Sequence, residues 1–438
     1  MHKMPTHFSL SSRLPSVLLS ANIVLICFLS LKFSAPLYSQ KKSSVRTGLD
    51  IVVAGGFSEF KGKRAGIITN QTGIDRERRH IADLFHEAEG VELAALFGPE
   101  HGIRGDIEAG AKVATRVDAK TGVTVYSLYG ETRKPAPEML KSIDVLIFDV
   151  QDVGARFYTY ISTMSLAMEA AAEAKIPFYV LDRPNPIGDL VEGPVLGPAQ
   201  RSFVGIHPIA LRHGMTAGEL AQMFNDEGWL QTGTPEAPQI LKADLHVIKM
   251  EGWRRNMLFD ETGLPWVKPS PNMTSPITAL LYPGMGLLEA TNFSEGRGTQ
   301  SPFEKAGAPW VESNKLIDKL QNRVPGIYLR PIDFIPVDLS GQAMNPKFEG
   351  TGCRGLQLDV TQPQALQTVA FGIHLLCALQ EMYPKKFVLH ENRMARMSGQ
   401  TWVGKMILAG KKPEAILERI EKETQAFRDV RQKYLLYN

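Results

Sequence analysis

Cysteine is scarce in this sequence of 438 residues, which contains three: Cys27, Cys353 and Cys377. Cys27 falls in an apolar segment near the N-terminus, and the other two are too few for a disulfide framework. There is no C-x-x-C pair for zinc or redox chemistry. Walker loops and the G-x-S-x-G and H-E-x-x-H patterns are also missing, which argues against a nucleotide hydrolase, a serine esterase and a zinc protease.

Acidic residues are absent from residues 1–40, which carry Lys3, Arg13 and Lys32. The whole sequence has 49 Lys and Arg residues against 46 Asp and Glu residues, a formal charge of +3. The remainder of the chain is therefore balanced at 46 of each sign. Because this body has no net positive charge, we expect no nucleic acid partner.

Residues 14–33 form an apolar run, LPSVLLSANIVLICFLSLKF, which lies between the basic residues and the polar segment SAPLYSQ. This layout is typical of a secretory signal and predicts that residues 1–40 are a signal peptide or leader. We expect a periplasmic or extracellular protein. The alternative is an uncleaved membrane anchor, because the run is nearly long enough to cross a bilayer. No second run of this kind follows, so we expect no membrane contact beyond the leader, and the oligomeric state stays open.

After the leader, short apolar segments alternate with helical patterns, for example strands at 64–70 and 145–149 and a helix at 160–175. This alternation is typical of crossover connections in a parallel sheet with helices on both faces. A Pro- and Gly-rich middle follows, and then a smaller unit of strands and helices. The predicted fold class is α/β, with a mostly parallel sheet in a Rossmann-like catalytic domain at 46–298 and a smaller auxiliary α/β domain at 299–438.

Polar side chains follow four of the predicted strands at the point where each strand ends. They are Asn70; Glu100 and His101; Asp149 and Asp152; and Arg183 and Asn185. The carboxyl ends of parallel strands meet at one edge of a sheet, where ligands bind. Each residue could instead cap a helix or close a local turn. Four such strand ends together favour one shared site.

Three of these residues are candidates for acid–base chemistry. Glu100 lies in the turn GPEHG, whose proline and glycine display the side chain on a stiff backbone. Asp149 and Asp152 are three residues apart, and neighbouring carboxyl groups raise each other's proton affinity. Arg156 could contact a ligand or neutralise these aspartates.

Further candidates lie outside the strand ends. Tyr158 and Tyr160 could stack against a sugar or pack the start of a helix. Glu295 and Arg297 alternate with small residues in the segment SEGRG, which could admit a ligand or form a hinge with an ion pair. The segment RHGMT could supply His213 to a ligand or only cap a helix. The rigid turn PSPNM similarly presents Asn272.

The segment GMGLLE at 284–289 begins like a dinucleotide-binding loop. Glu289 occupies the position of the third glycine, where its charge would repel a pyrophosphate. A nucleotide-dependent oxidoreductase is therefore the weakest of the functions considered.

The motifs together resemble one family, the NamZ-type exo-β-N-acetylmuramidases. The resemblance rests on GPEHG, DVQDVGARFYTY, LDRPNP, EGP, RHGMT, PSPNM and EGRGT, in this order. It implies a Rossmann-like domain with an auxiliary α/β domain. It also implies hydrolysis of terminal β-linked N-acetylmuramic acid (MurNAc) from the non-reducing ends of peptidoglycan fragments such as MurNAc-GlcNAc, with no cofactor or metal.

The resemblance also implies roles for individual residues. The implied catalytic residues are Glu100, Asp149, Asp152 and Glu295. The strand ends and the motifs together give the candidate substrate-binding residues, which are Asn70, His101, Arg156, Tyr158, Tyr160, Arg183, Asn185, Glu192, His213, Asn272 and Arg297.

The implied chemistry leaves the mechanism open. Two carboxyl groups could flank the glycosidic bond, and their separation would then decide between retention and inversion. The 2-acetamido group of the substrate could instead attack its own anomeric carbon. MurNAc carries a lactyl carboxylate, for which Arg156, Arg183 and Arg297 are candidate partners. The alternative function is non-catalytic binding of muropeptides in the same cleft.

Overall fold

A computed structural model describes residues 45–100, 102–105, 115–130, 132–234 and 237–438. The strands are β1 (Arg64–Thr69), β2 (Glu92–Gly98), β3 (Arg116–Val117), β4 (Thr124–Ser127), β5 (Val145–Asp149), β6 (Phe178–Leu181), β7 (Glu192–Val195), β8 (Ala210–Arg212), β9 (Gln231–Thr234), β10 (Ala237–Ile240), β11 (Leu245–Ile248), β12 (Lys305–Ala308), β13 (Ile327–Phe334) and β14 (Cys353–Val360). The α-helices are α1 (Gly48–Ala54), α2 (Ile81–Glu87), α3 (Pro137–Leu140), α4 (Tyr160–Ala174), α5 (Ala217–Asp226), α6 (Pro276–Met285), α7 (Ser313–Leu320), α8 (Thr368–Met382), α9 (Glu391–Ser398), α10 (Thr401–Leu408) and α11 (Pro413–Arg431).

The main sheet has the strand order β11-β6-β5-β1-β2-β4-β3. Every neighbouring pair is parallel except β3 and β4, which are antiparallel. The chain builds outward from β1 through β2 to β4, and then returns to the other side of β1 to form β5. This reversal is a topological switch point, where the loops after neighbouring strands separate and leave a crevice.

The central strands are apolar because both faces of the sheet are covered. All five residues of β5, VLIFD, are buried, and the last five residues of β1 are buried as well. Asp149 ends β5 and lies beside Thr69 at the end of β1. The packing of the apolar residues therefore fixes where the polar residues at the strand ends come together.

The C-terminal part of the chain contains a separate antiparallel sheet with the order β12-β14-β13. Helix α8 is buried along most of its length and contacts α6, while α11 contacts β7. In α8, Gly372 lies against the backbone of Gly284, where an added Cβ would come within 2.7 Å of the Gly284 carbonyl oxygen. These contacts join the C-terminal helices to the segments that follow the main sheet.

The predicted α/β fold class is confirmed. The prediction of a strand at 145–149 matches β5, and the helix predicted at 160–175 corresponds to α4. The Pro- and Gly-rich middle holds more structure than expected, because it supplies β11, an edge strand of the main sheet. The GMGLLE segment lies within helical turns, so it forms no strand-to-helix nucleotide loop.

The division into domains at 46–298 and 299–438 stays a prediction. Within the part of the chain that the structure describes, no helix has the length and apolar character needed to cross a bilayer.

Candidate active site

A cleft of about 390 Å³ opens at the carboxyl ends of β2, β4 and β5. The loops after these strands contribute much of its lining, and the rest comes from more distant segments. The lining residues are Glu100, Tyr129, Arg133, Phe157, Tyr158, Thr159, Tyr160, Ser202, Phe203, Val204, Ser270, Pro271, Asn272, Met273, Tyr282, Arg297 and Arg396. The cleft therefore lies at the sheet edge where the sequence predicts a shared site.

Glu100 is half-buried and follows β2 in a tight turn. The amide of Gly102 donates to the carbonyl of Pro99 at 3.0 Å, and Gly102 has a φ of +73° that favours glycine. Of the described residues that line the cleft, Glu100 alone carries a carboxylate. Its neighbour His101, also predicted to bind substrate, lies outside the described residues.

Three tyrosine side chains lie near Glu100. Burial, the charge of Glu100 and a hydrogen bond to its carboxylate raise the pKa of Tyr129 to about 12. Burial raises the pKa of Tyr160 and of Tyr282, and the charge of Glu100 adds to both shifts. The carboxylate is therefore within electrostatic range of three phenol groups.

The aromatic wall of the cleft consists of rings that pack against one another. The ring of Tyr158 meets the rings of Tyr160 and Tyr282 edge to face, at centroid distances of 5.0 and 6.0 Å. The hydroxyl of Tyr160 donates to the carbonyl of Pro269 at 2.5 Å. This bond connects the start of α4 to the PSPNM turn on the opposite side of the lining.

Besides Oγ of the half-buried Ser202, two polar atoms on buried residues of the lining have no hydrogen-bond partner of good geometry among the described residues. They are the hydroxyl of Tyr158, a residue that is 8% exposed, and Oδ1 of Asn272, a residue that is 3% exposed. The Nδ2 of Asn272 donates to the carbonyl of Gln342 at 2.6 Å, which fixes the side chain. Buried polar groups are nearly always paired. The Tyr158 hydroxyl has Ser270 and Tyr160 close by, whereas Oδ1 of Asn272 is left to accept a hydrogen bond from a polar ligand.

Asp149 does not line the cleft. It is fully buried, and Arg183 donates to it from Nε at 2.5 Å and from Nη2 at 2.9 Å. Burial raises the pKa of Asp149, and the Arg183 guanidinium opposes that shift. Both residues are committed to this ion pair beneath the strand ends, so neither presents its charge to the cleft.

Asp152 lies within electrostatic range of Tyr158 and Tyr160 and is held by its own loop. Its Oδ2 accepts from the amide of Gly154 at 2.7 Å, and Nε2 of His213 is 3.7 Å away. Nδ1 of His213 accepts from the amide of Met215, which leaves Nε2 facing Asp152. The structure thus places His213 beside Asp152 and not in the cleft lining, while Oδ1 of Asp152 is buried without a partner among the described residues.

Arg156 is 1% exposed and donates to three backbone carbonyls. Nη1 donates to Pro194 at 2.7 Å and to Ile209 at 2.9 Å, and Nη2 donates to Met397 at 3.2 Å. Burial lowers its pKa to about 9. Arg156 therefore joins the β7–β8 pair to the end of α9 and does not neutralise Asp149 or Asp152.

Glu295 lies in a neighbouring cavity of about 410 Å³. Lys347 donates to its Oε2 at 2.8 Å, and Nε of Arg297 is 3.4 Å from its Oε1. Arg297 lines both cavities and also donates to Glu289 at 2.9 Å. The structure therefore separates Glu295 from Glu100, and Arg297 lies between the two cavities.

Three other predicted binding residues make structural hydrogen bonds. Nδ2 of Asn185 donates to the carbonyl of Met215 at 3.0 Å. Glu192 accepts from Arg212 at 2.7 Å and from the amide of Val369 at the start of α8 at 3.1 Å. Asn70 accepts from Thr72 through Oδ1, but its buried Nδ2 has no partner of good geometry among the described residues and lies near Tyr160.

Sequence reasoning missed several residues of the lining, among them Tyr129, Arg133, Tyr282 and Arg396. Tyr129 and Arg133 follow β4, so the rule of strand ends could have found them. Tyr282 and Arg396 lie within α6 and α9, where no local signal separates them from ordinary helix residues. No cluster of three or more metal-binding side chains occurs in the described ranges.

Comparisons with known proteins agree along nearly the whole chain. Residues 65–277 match the N-terminal domain of the exo-β-N-acetylmuramidase NamZ, and residues 280–437 match the C-terminal domain. The peptidoglycan β-N-acetylmuramidase NamZ of Bacillus subtilis (strain 168) is 46% identical over 400 residues, which cover 91% of this chain and 92% of that protein.

Two crystal structures of DUF1343-family proteins from Bacteroides fragilis NCTC 9343 are similar to this fold. One is 37% identical with a TM-score of 0.81, and the other is 32% identical with a TM-score of 0.72. Each comparison covers 90% of this chain and 99% of the crystallised chain. On these matches, the chain belongs to the NamZ exo-β-N-acetylmuramidase family.

Proposed function

We propose that this protein is a glycosidase that releases terminal β-linked MurNAc from the non-reducing ends of peptidoglycan fragments, in cell-wall turnover. The observation that carries the proposal is the position of Glu100. This chain belongs to the NamZ family, and Glu100 is the one carboxylate among the described residues that line its aromatic cleft at the sheet edge. Oδ1 of Asn272, buried and without a partner among the described residues, and the hydroxyl of Tyr158 offer hydrogen bonds to the polar groups of a sugar.

Glu100 is the group that we assign to acid catalysis. Breaking the glycosidic bond requires a proton on the departing oxygen, and a positioned carboxylic acid can donate it. The stiff turn after β2 holds Glu100 at the cleft surface, where it is half-buried. The same carboxylate can then take the proton of the water molecule that completes hydrolysis.

The arrangement of the other carboxylates favours assistance by the substrate. Asp149 is paired with Arg183, and Glu295 is paired with Lys347 in a separate cavity. In this mechanism the carbonyl oxygen of the 2-acetamido group attacks the anomeric carbon while the protonated leaving group departs. Water then opens the cyclic intermediate on the face that the leaving group occupied, so the product keeps the β configuration. Asp152 acts indirectly, by ordering the loop that carries Tyr158 and Tyr160.

The proposal is tested by incubating the purified protein with the disaccharide MurNAc-GlcNAc and identifying the products by mass spectrometry. We expect free MurNAc and free GlcNAc in equal amounts. A calorimetric titration with the same disaccharide provides the second readout. Saturable binding without any release of MurNAc would identify a non-catalytic muropeptide-binding protein and refute the proposed activity.

Export is the second part of the proposal. Peptidoglycan lies outside the cytoplasm, and residues 1–40 have the layout of a secretory signal. We expect the protein in the periplasm or medium, with its N-terminus beyond residue 33. Cell fractionation and N-terminal sequencing test this. Recovery of full-length protein in the membrane fraction would indicate an uncleaved anchor instead.

A further inference from the structure

Two arginines of the cleft, Arg133 and Arg396, form no ion pair with any carboxylate of the described ranges. The guanidinium carbon of Arg133 stands 4.4 Å from the centroid of the Phe203 ring, and Phe203 also lines the cleft. Stacking on an aromatic face orients a guanidinium while its N–H edge stays available for hydrogen bonds. Arg133 therefore has a defined position, and its donors make no hydrogen bond to the residues that the structure describes.

Arg396 reaches the same cleft from the last turn of α9. The buried face of this helix consists of Met394, Ala395 and Met397, and Arg396 lies on its exposed side. The end of α9 is fixed by buried Arg156, which donates to the carbonyl of Met397. The framework that holds α9 against β7 and β8 thus also places Arg396 at the cleft.

The other arginines considered for the substrate are already committed. Arg156 donates to backbone carbonyls, and Arg183 pairs with Asp149. Arg297 pairs with Glu289 and lies beside Glu295. A carboxylate bound by any of these would have to displace an existing partner. For Arg133 and Arg396 no such competition exists among the described residues.

We propose that Arg133 and Arg396 together bind an anionic substituent of the sugar in the cleft, and so make the enzyme specific for an acidic amino sugar. In MurNAc this substituent is the lactyl carboxylate. The inference rests on the proposed function, because it assigns the recognition step of that site. Guanidinium–carboxylate hydrogen bonds are charge-assisted and can be bidentate, so they combine affinity with directional selectivity.

The test measures the kinetics of each variant on two substrates. Arg133→Ala, Arg396→Ala and the double variant are assayed on a chromogenic β-MurNAc glycoside and on its lactyl amide, which has the same shape without the charge. We expect kcat/KM on the acid to fall about tenfold to a hundredfold for each alanine, mostly through KM, since hydrogen bonds to charged groups contribute energies of this order. On the amide we expect a change of less than about threefold.

Arg254→Ala is the matched control, because Arg254 is an exposed arginine outside the cleft lining. Arg133→Lys and Arg396→Lys should keep more activity on the acid than the alanine variants, since lysine keeps the charge without the planar fork. Equal losses on acid and amide would show that the arginines only shape the cleft, and unchanged kinetics on the acid would exclude them altogether. Either result overturns the proposal.

A binding measurement separates this proposal from the proposed activity. Calorimetry with free MurNAc should show binding to the wild type, with at least tenfold weaker binding to the double variant and no measurable preference for MurNAc over GlcNAc in that variant. This result stands even if the wild type hydrolyses nothing. Equal binding of MurNAc by the wild type and the double variant would refute carboxylate recognition, whatever the activity.

Discussion

Replacing Asp149 with Asn should destabilise the fold far more than it alters the chemistry. Asp149 is fully buried, and Arg183 donates two hydrogen bonds to it. The substitution leaves the Arg183 guanidinium buried opposite a neutral amide. Removing one partner of a buried ion pair costs about 3–5 kcal/mol, because the remaining charge lacks compensation. We therefore expect a loss of this size in the free energy of unfolding.

The assay is denaturant-induced unfolding of the wild type, Asp149→Asn, Arg183→Met and the double variant, followed by circular dichroism. The double variant should be less destabilised than the sum of the single variants, because it contains no unpaired charge. Activity on the chromogenic MurNAc glycoside, measured at a temperature where each variant is folded, should stay within about tenfold of the wild type.

The opposite pattern would refute the reasoning. If Asp149→Asn unfolds at the same denaturant concentration as the wild type but loses activity by a thousandfold or more, Asp149 is a catalytic carboxylate. Additive losses in the double variant would show that the two side chains do not act as a pair.

Three further predictions concern other parts of the molecule. Burial lowers the pKa of His207 from 6.5 to about 3, so the free energy of unfolding should fall by about 5 kcal/mol in full as the pH drops from 6.5 to below 3. Unfolding curves of His207→Gln over this pH range should show a smaller loss of stability than the wild type, and equal losses would contradict the prediction. Gly154→Ala should lower the free energy of unfolding by about 1–3 kcal/mol, because φ at this position is +80° and the new Cβ would lie 2.6 Å from Oδ1 of Asn185. Thermal unfolding measures the effect, and an unchanged melting temperature would contradict it. Proton NMR of the freshly released product should show the β anomer of MurNAc, and the α anomer would exclude substrate assistance. Hydrolysis should also be slower for a substrate with a 2-trifluoroacetamido group, whose carbonyl oxygen is a weaker nucleophile.

The sheet could be predicted from the sequence because its central strands are continuous apolar runs with polar residues at their ends. The strand VLIFD and the helix after it follow local patterns that tertiary packing does not override. Strand β11 was missed because its segment, LHVI, is short and lies in a Pro- and Gly-rich region. It forms a strand only through its parallel pairing with β6.

The candidate site was predictable in location but not in the direction of each side chain. Glu100, Tyr158 and Tyr160 line the cleft, as the strand-end rule suggests. Asp149 and Arg183 have equally polar neighbours in the sequence, yet they face each other inside the protein. A polar residue at a strand end can point into the cleft or below it, and the sequence pattern is the same in both cases.

The arginines illustrate the same limit from the other side. Arg156 lies in a motif rich in candidate residues, but its guanidinium is buried among backbone carbonyls. Arg396 lies more than two hundred residues after Arg156 in the chain, on a helix whose sequence carries no functional motif. It reaches the cleft through tertiary packing. Long-range placement of this kind has no counterpart in local sequence patterns.

The role of Glu100 is tested most directly by measuring how the loss of kcat in Glu100→Gln depends on the leaving group of the substrate. A general acid matters most when the departing oxygen is a poor leaving group, so the variant should lose about 10²–10⁴-fold in kcat on MurNAc-GlcNAc and far less on a MurNAc glycoside of an acidic phenol. Glu138→Gln, at a largely exposed position on α3, is the control. Equal losses on both substrates, or none on either, would contradict the assignment of Glu100 as the catalytic acid.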